Sequence, residues 1–183
     1  MTLYSAALFL HVVGALLLFA TLSLEGIGLR QLRRAAMPAQ VRESAAIAGL
    51  NRLVGPASAF LIVVPGLYMT ATAWGWVPWI LVGLASWAVV GVLGAVNGIR
   101  LAAAGRAAAG VERVSPDLAA RLADPLLLAS WLLRLAIVLG VVFLMTVKPG
   151  MAGALLAMAS AAAIGAAAGA ACVAAAPRRE VVA

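Results

Sequence analysis

Few side chains in this 183-residue sequence can do chemistry, and those few fall where charge is costly. His11 lies about eight residues into the first long apolar run, about 12 Å deep at the rise of an α-helix. Arg134 lies about nine residues into another, about 14 Å from its nearer basic flank. Glu25 closes the first run, Asn97 stands near the end of the third, and Asn51 just precedes the second. Ionisable groups inside a bilayer are rare and expensive, so each one asks for a role.

His11 admits two kinds of role. A neutral imidazole is an axial haem ligand or a metal ligand. It is equally a hydrogen-bond partner for a facing Ser, Thr or backbone carbonyl, or a step in a proton relay. Haem in a helix bundle commonly takes two axial groups, and this is the only histidine. A second ligand for haem b would come from Met69, Met145, Tyr68 or a partner subunit. A metal cluster finds no second His and no intramembrane Asp to complete it, so no metal site is expected.

Glu25 and Arg134 invite pairing. His11, Gly14, Leu18, Thr21 and Glu25 follow a 3-4-3-4 spacing and share one helix face, which should point into a bundle. Arg134 enters its run from the same basic side as Glu25, and its long side chain can reach back toward that side. An intramembrane ion pair between them would relieve both charges; otherwise each is simply interfacial. Pro65-Gly66 interrupts the second run, and a kink there would free a carbonyl near the bundle centre, as at a cavity or gate. Gly55-Pro56 suggests an irregular first turn in the same run.

Nothing else reaches the level of a motif. P-loop, Gly-x-Ser-x-Gly, His-Glu-x-x-His and dinucleotide fingerprints are missing from the sequence. The expected function is therefore that of an integral membrane protein with a non-enzymatic or accessory role. Two rivals remain: a haem-binding redox protein using His11, and a small transporter or permeation path around Pro65, Gly66 and Arg134.

The elements that must position these residues follow from composition. The chain is 66% hydrophobic and 10% charged, with a mean hydropathy of +1.12. A soluble domain is about 45–50% apolar and about 25% charged. No soluble fold of this size could hide so much apolar surface, and a disordered chain would need the opposite balance. The net charge of +7 does not point to nucleic acid, because the basic residues lie between apolar runs rather than in aromatic-interleaved patches. One cysteine, Cys172, excludes an intramolecular disulfide. The first residues carry no basic n-region, so the first run is expected to stay as a span rather than be cleaved.

A bilayer core about 30 Å thick needs about 20 apolar residues in a helix. Five segments qualify, at about 3–24, 53–73, 78–103, 125–147 and 151–176. The expected fold is an all-α bundle with five spans, one domain over 1–176 and a tail over 177–183. Eleven of the thirteen basic residues fall in the first-to-second connection, the third-to-fourth connection and the tail, where Arg178 and Arg179 lie. The positive-inside bias makes that side cytoplasmic and the N-terminus external, in a bacterial cytoplasmic membrane.

Local signals support the boundaries. Trp74, Trp76 and Trp79 suit an aromatic belt. Asp124-Pro125 and Ser115-Pro116 read as helix starts, and Lys148-Pro149-Gly150 as a stop. Residues 39–50 read as an Arg-bearing amphipathic helix along the cytoplasmic interface. Gly94-x-x-x-Gly98 and Gly165-x-x-x-Gly169 read as close-packing faces, within the chain or between copies. The expected partners are lipid and a second copy or a partner membrane subunit.

The segments "LFLHVVGALLLFATLSLEGIGLR", "VVPGLYMTATAW" and "LRLAIVLGVVFLMTVKPG" resemble small bacterial integral membrane proteins classed as a domain of unknown function. More distantly, "LHVVG" is similar to the first helix of copper-resistance D-type proteins and of protoporphyrinogen-oxidase-type HemJ proteins. The latter resemblance implies haem binding at His11. That oxidase family also relies on a lysine in a later helix, whereas the sole lysine here, Lys148, falls in a connection.

Overall fold

The computed structural model describes residues 2–49, 51–109, 111–113, 115–122 and 124–175. Among them every regular element is helical: α1 (Leu3–Arg34), α2 (Pro38–Gly49), α3 (Asn51–Met69), α4 (Pro78–Ala107), α5 (Pro116–Leu122), α6 (Pro125–Val147) and α7 (Met151–Ala174). Five of these are long and apolar enough to cross a membrane: α1, α3 with its extension to Trp74, α4, α6 and α7. Only 17–28% of the most apolar window of each is buried inside the bundle, so most of that surface must be covered by lipid. The chain is a multi-pass membrane helix bundle. The tail at 177–183, with Arg178 and Arg179, lies outside the described residues.

The helix ends follow from capping chemistry. Thr2 accepts from the Ser5 amide to start α1, and Asp124 Oδ1 accepts from the Leu126 amide, 2.9 Å, ahead of Pro125. Ser115 Oγ accepts from the Leu118 amide at the start of α5. α6 stops at Lys148, which takes a left-handed conformation (φ 54°) and returns its N–H to the Leu144 carbonyl.

Two helices overrun the expected spans. α1 has 32 residues and α4 has 30, against the roughly 20 that a bilayer core needs. Arginine is a good helix former, so Arg30, Arg33 and Arg34 continue α1 into the aqueous side instead of ending it. These projecting ends meet α2 and α5 in a small core of their own, where Leu29, Leu32, Val41, Leu101, Ala108 and Leu118 are buried. This changes the reading of residues 39–50. α2 does not simply rest on lipid: it packs against α1 and α4, Val41 is fully buried, and Arg42 donates to the Ala108 carbonyl at the end of α4.

Within the membrane the helices pair unevenly. α6 packs along α7 and against α4, α1 packs along α3 and touches α6, and α3 scarcely meets α4. Gly165 and Gly169 of α7 sit directly on the α6 backbone: a Cβ at either would stand 2.9 Å from Leu133 Cα or 3.0 Å from Ala129 Cα. That pair is a packing face within one chain, already occupied and closed to a second copy. Gly94 and Gly98 are different. No helix packs on them; Gly94 faces the Arg134 side chain, and nothing lies within 4 Å of a Cβ at Gly98.

α3 carries both prolines of the second run. It runs through Pro56 and Pro65 as a continuous helix. The irregular turn comes later, as a π-helical turn over Thr70–Trp74 closed by the Gly75 amide on the Thr70 carbonyl at 2.8 Å. Thr70 and Thr72 hydroxyls bond carbonyls four residues back, and Gly75 ends the turn at φ 69°.

Candidate functional site

The face His11–Gly14–Leu18–Thr21–Glu25 of α1 turns inward, with Gly14, Thr21 and Glu25 buried. Its upper half forms a seam with α3. A Cβ at Gly14 would stand 2.8 Å from Leu61 Cβ, so the two backbones touch there, and Ser58 Oγ donates to the Gly14 carbonyl at 3.0 Å. One turn up, His11 Nδ1 lies 2.8 Å from the Ile62 carbonyl. A carbonyl only accepts, so Nδ1 is the donor in this contact. Gly66 makes room for the ring: a Cβ there would meet Cε1 and Nδ1 at 3.2 Å. Pro65 offers no amide to the carbonyl of Leu61, one residue before the carbonyl that His11 engages.

The lower half of the face carries the charge. Arg134 Nη2 donates to Glu25 Oε1, and both side chains are about 5% exposed. Asn97 of α4 donates through Nδ2 to the same Oε1 and to the Leu127 carbonyl, each at 3.2 Å. Three helices thus meet at one carboxylate oxygen. Trp131, one turn from Arg134, sets the approach: its indole N–H donates to the Leu22 carbonyl at 2.8 Å, and its ring fills the space that Gly26 leaves. Glu25 Oε2 takes no hydrogen bond among the described residues, and Arg134 Nε is buried without a partner among them. The structure brings Glu25 and Arg134 together and leaves their coordination incomplete.

The poor contact between α3 and α4 opens a cleft floored by α1 and α6. It has two chambers. One, about 510 Å³, lies toward the arginine-poor end and is walled by His11, Met69, Thr70, Trp79, Gly83 and Met145. The other, about 970 Å³, runs toward the basic end past Glu25, Arg134 and Ser58 to Arg42 and Arg106. Leu18, Trp87 and Val90 line both, so they form the junction. Both volumes fall within or near the range of about 300–1,000 Å³ usual for ligand pockets. At the arginine-poor mouth, Trp74 donates to the Tyr4 hydroxyl (3.1 Å), stacks edge-on against Trp79 (5.6 Å between centroids) and lies under Lys148 Nζ at 4.0 Å.

No known family, curated protein or solved structure matches this chain.

Several of the residues that build the cleft were not singled out by spacing. Asn97 had a signal, since a buried amide in a span is costly unless it is hydrogen-bonded. Arg42 and Arg106 read only as topology markers, and Gly94 as half of a packing motif. His11 and the Glu25–Arg134 pair occupy different chambers of the one cleft, with Pro65 and Gly66 on the seam beside the first. Among the described residues no cluster of three or more His, Cys, Asp or Glu is grouped to hold a metal ion.

Proposed function

We propose that this chain is a non-enzymatic, multi-pass protein of a bacterial cytoplasmic membrane that binds a small solute in the cleft between α3 and α4 and moves it between the two membrane faces. One observation carries this reading: Glu25 and Arg134 do not lie in solid packing but on the wall of a cavity of about 970 Å³ that runs toward the basic end of the bundle. A purely structural ion pair needs no such space beside it. The π-helical turn at Thr70–Trp74 fits the same reading, because such turns often occur at functional sites. The arginines grouped at one end support a cytoplasmic orientation for that end, with the N-terminus external.

Cysteine accessibility tests both access and orientation. In a Cys172→Ala background, Ala59→Cys and Ala102→Cys place thiols in the lower chamber, and Leu156→Cys places one on an outward face that is 69% exposed. A membrane-impermeant sulfonated methanethiosulfonate should react with the two chamber thiols from the cytoplasmic side, well ahead of the Leu156→Cys control. Chamber thiols that react no faster than the control, from either side, would overturn the proposal.

A haem at His11 is the second reading. It is favoured by the Nδ1–H bond to a backbone carbonyl, the kind of second contact that fixes a ligating imidazole, and by Met69 and Met145 on the walls of the same chamber. Such a group would supply one-electron chemistry. A reduced-minus-oxidised spectrum of the purified protein with no Soret band, before or after haem supplementation, ends this reading.

A further inference from the structure

We infer that the solute is a single-chain amphiphile with an anionic head, carboxylate or phosphate, whose head lies at Arg134 and whose chain lies in the His11 chamber. This rests on the binding reading above and names the class of molecule the cleft takes.

The head follows from the charges. Among the described residues, Arg42, Arg106 and Arg134 stand along the lower chamber against one carboxylate, Glu25. Glu25 engages Arg134 through Nη2 alone. A guanidinium has five N–H donors. Among the described residues Nε is buried without an acceptor, and Nη1 packs against Gly94, which also lines the chamber. An acid group settling beside Nη1 would complete an arginine that the protein leaves short of acceptors. Charge-assisted hydrogen bonds of this kind are among the strong ones.

The chain follows from the other chamber. Most of its polar groups are already committed: His11 Nδ1 to the Ile62 carbonyl, Thr70 Oγ1 to the Gly66 carbonyl, Trp74 Nε1 to Tyr4, and Thr146 Oγ1 to the Val142 carbonyl, while the Lys148 ammonium lies over Trp74 at the mouth, far from Arg134. What remains is a wall of Leu, Val, Met and Trp side chains, suited to hydrocarbon. The space is also elongated. From Gly94 to Trp79 along α4 is fifteen residues, about 22 Å of helix. Leu18, Trp87 and Val90 line both chambers, so the chambers adjoin at these side chains, and a molecule lying in both would pass between them. The weak contact between α3 and α4 gives a flexible chain a sideways entry from the bilayer.

The test uses full-length protein in phosphatidylcholine nanodiscs, with tryptophan fluorescence quenched by a mid-chain-dibrominated stearate. Trp87 and Trp79 border the proposed chain. The expected result is saturable quenching that unbrominated stearate displaces, with the brominated methyl ester binding about tenfold or more weakly for want of the charged head. Ala15→Phe, which fills the upper chamber, should weaken stearate binding. The paired change Glu25→Gln with Arg134→Gln, which leaves no lone buried charge, should abolish the preference of acid over ester. Equal binding of acid and ester would overturn the inference. So would displacement by inorganic phosphate as effective as that by stearate, which would show a small-anion site. If saturable quenching fails while the chamber thiols react, the amphiphile is wrong and the binding cleft stands; if both fail, both readings fall.

Discussion

Gly94 of α4 stands against the guanidinium of Arg134 on α6, so closely that a Cβ at position 94 would meet Nη1 at 3.0 Å. The guanidinium cannot swing away freely, because Nη2 is held by Glu25. Gly94→Ala should therefore disturb the ion pair and cost about 1–3 kcal/mol, the usual cost of overpacking. Gly98→Ala, with nothing within 4 Å, should be neutral or stabilise by up to about 1 kcal/mol through helix propensity. Thermal unfolding in detergent, followed by circular dichroism, gives the order. A Gly98→Ala protein less stable than Gly94→Ala would contradict the assigned packing.

The Glu25–Arg134 pair predicts a compensated charge swap. Removing one partner of a buried pair leaves the other uncompensated and costs about 3–5 kcal/mol in soluble proteins. Glu25→Arg and Arg134→Glu should each reduce the yield of folded protein on size exclusion, and the double reversal should recover much of it. Asn97→Ala should cost less than either, because it removes a neutral donor and leaves the ion pair in place. A double reversal worse than both single changes would show that the two charges do not stabilise each other.

At the α6–α7 contact the obstacle is backbone, which cannot give way. A Cβ at Gly165 would stand 2.9 Å from Leu133 Cα, and one at Gly169 would stand 3.0 Å from Ala129 Cα. Gly165→Leu should lower the midpoint of thermal unfolding by many degrees. Gly91→Leu, where a Cβ meets nothing within 4 Å, should not. Both proteins should keep the oligomeric state of the parent, since the Gly165–Gly169 face is covered within the chain. A change of oligomeric state in Gly165→Leu alone would instead mark it as a face between copies.

The sequence carried some of this arrangement and could not carry the rest. Asp124-Pro125 and Lys148-Pro149 bounded α6 because caps and prolines act locally. The 3-4-3-4 spacing from His11 to Glu25 placed an inward face on α1, since side chains at that spacing stack on one stripe of a helix. Glu25 and Arg134 were readable as partners because each is the other's cheapest source of compensation. Which helices neighbour one another is not a local property. The gap between α3 and α4 left no mark in the α4 segment, and in α3 only Pro65-Gly66 pointed to a cavity, without saying which helix would lie across it. Gly94-x-x-x-Gly98 has the same spacing as Gly165-x-x-x-Gly169, yet only the second meets a helix. The first lines a cavity, and spacing alone does not separate the two cases.

Lys148 combines an unfavourable backbone conformation with two favourable charge contacts, and three substitutions separate the first from the other two. Its left-handed conformation (φ 54°, ψ 51°) is unfavourable for a residue with a Cβ, by about 1–2 kcal/mol. Its ammonium lies 4.0 Å over the Trp74 ring, a contact worth about 0.5–1 kcal/mol at an exposed site. It also sits at the C-terminus of α6, where positive charge is favourable. Lys148→Gly and Lys148→Ala both delete the charge and the ring contact, so the difference between them isolates the backbone. Lys148→Gly should be more stable than Lys148→Ala by about 1 kcal/mol, since glycine adopts that conformation without a Cβ clash. Lys148→Arg keeps the charge and the conformation and should stay near the parent. Measured unfolding midpoints should therefore fall in the order Arg near parent, Gly close to it, Ala lowest. If Ala matches Gly, the turn at 148 does not hold the left-handed conformation. If Ala matches the parent, the Trp74 contact contributes nothing, and the aromatic cluster at that mouth of the cleft stands on Tyr4 and Trp79 alone.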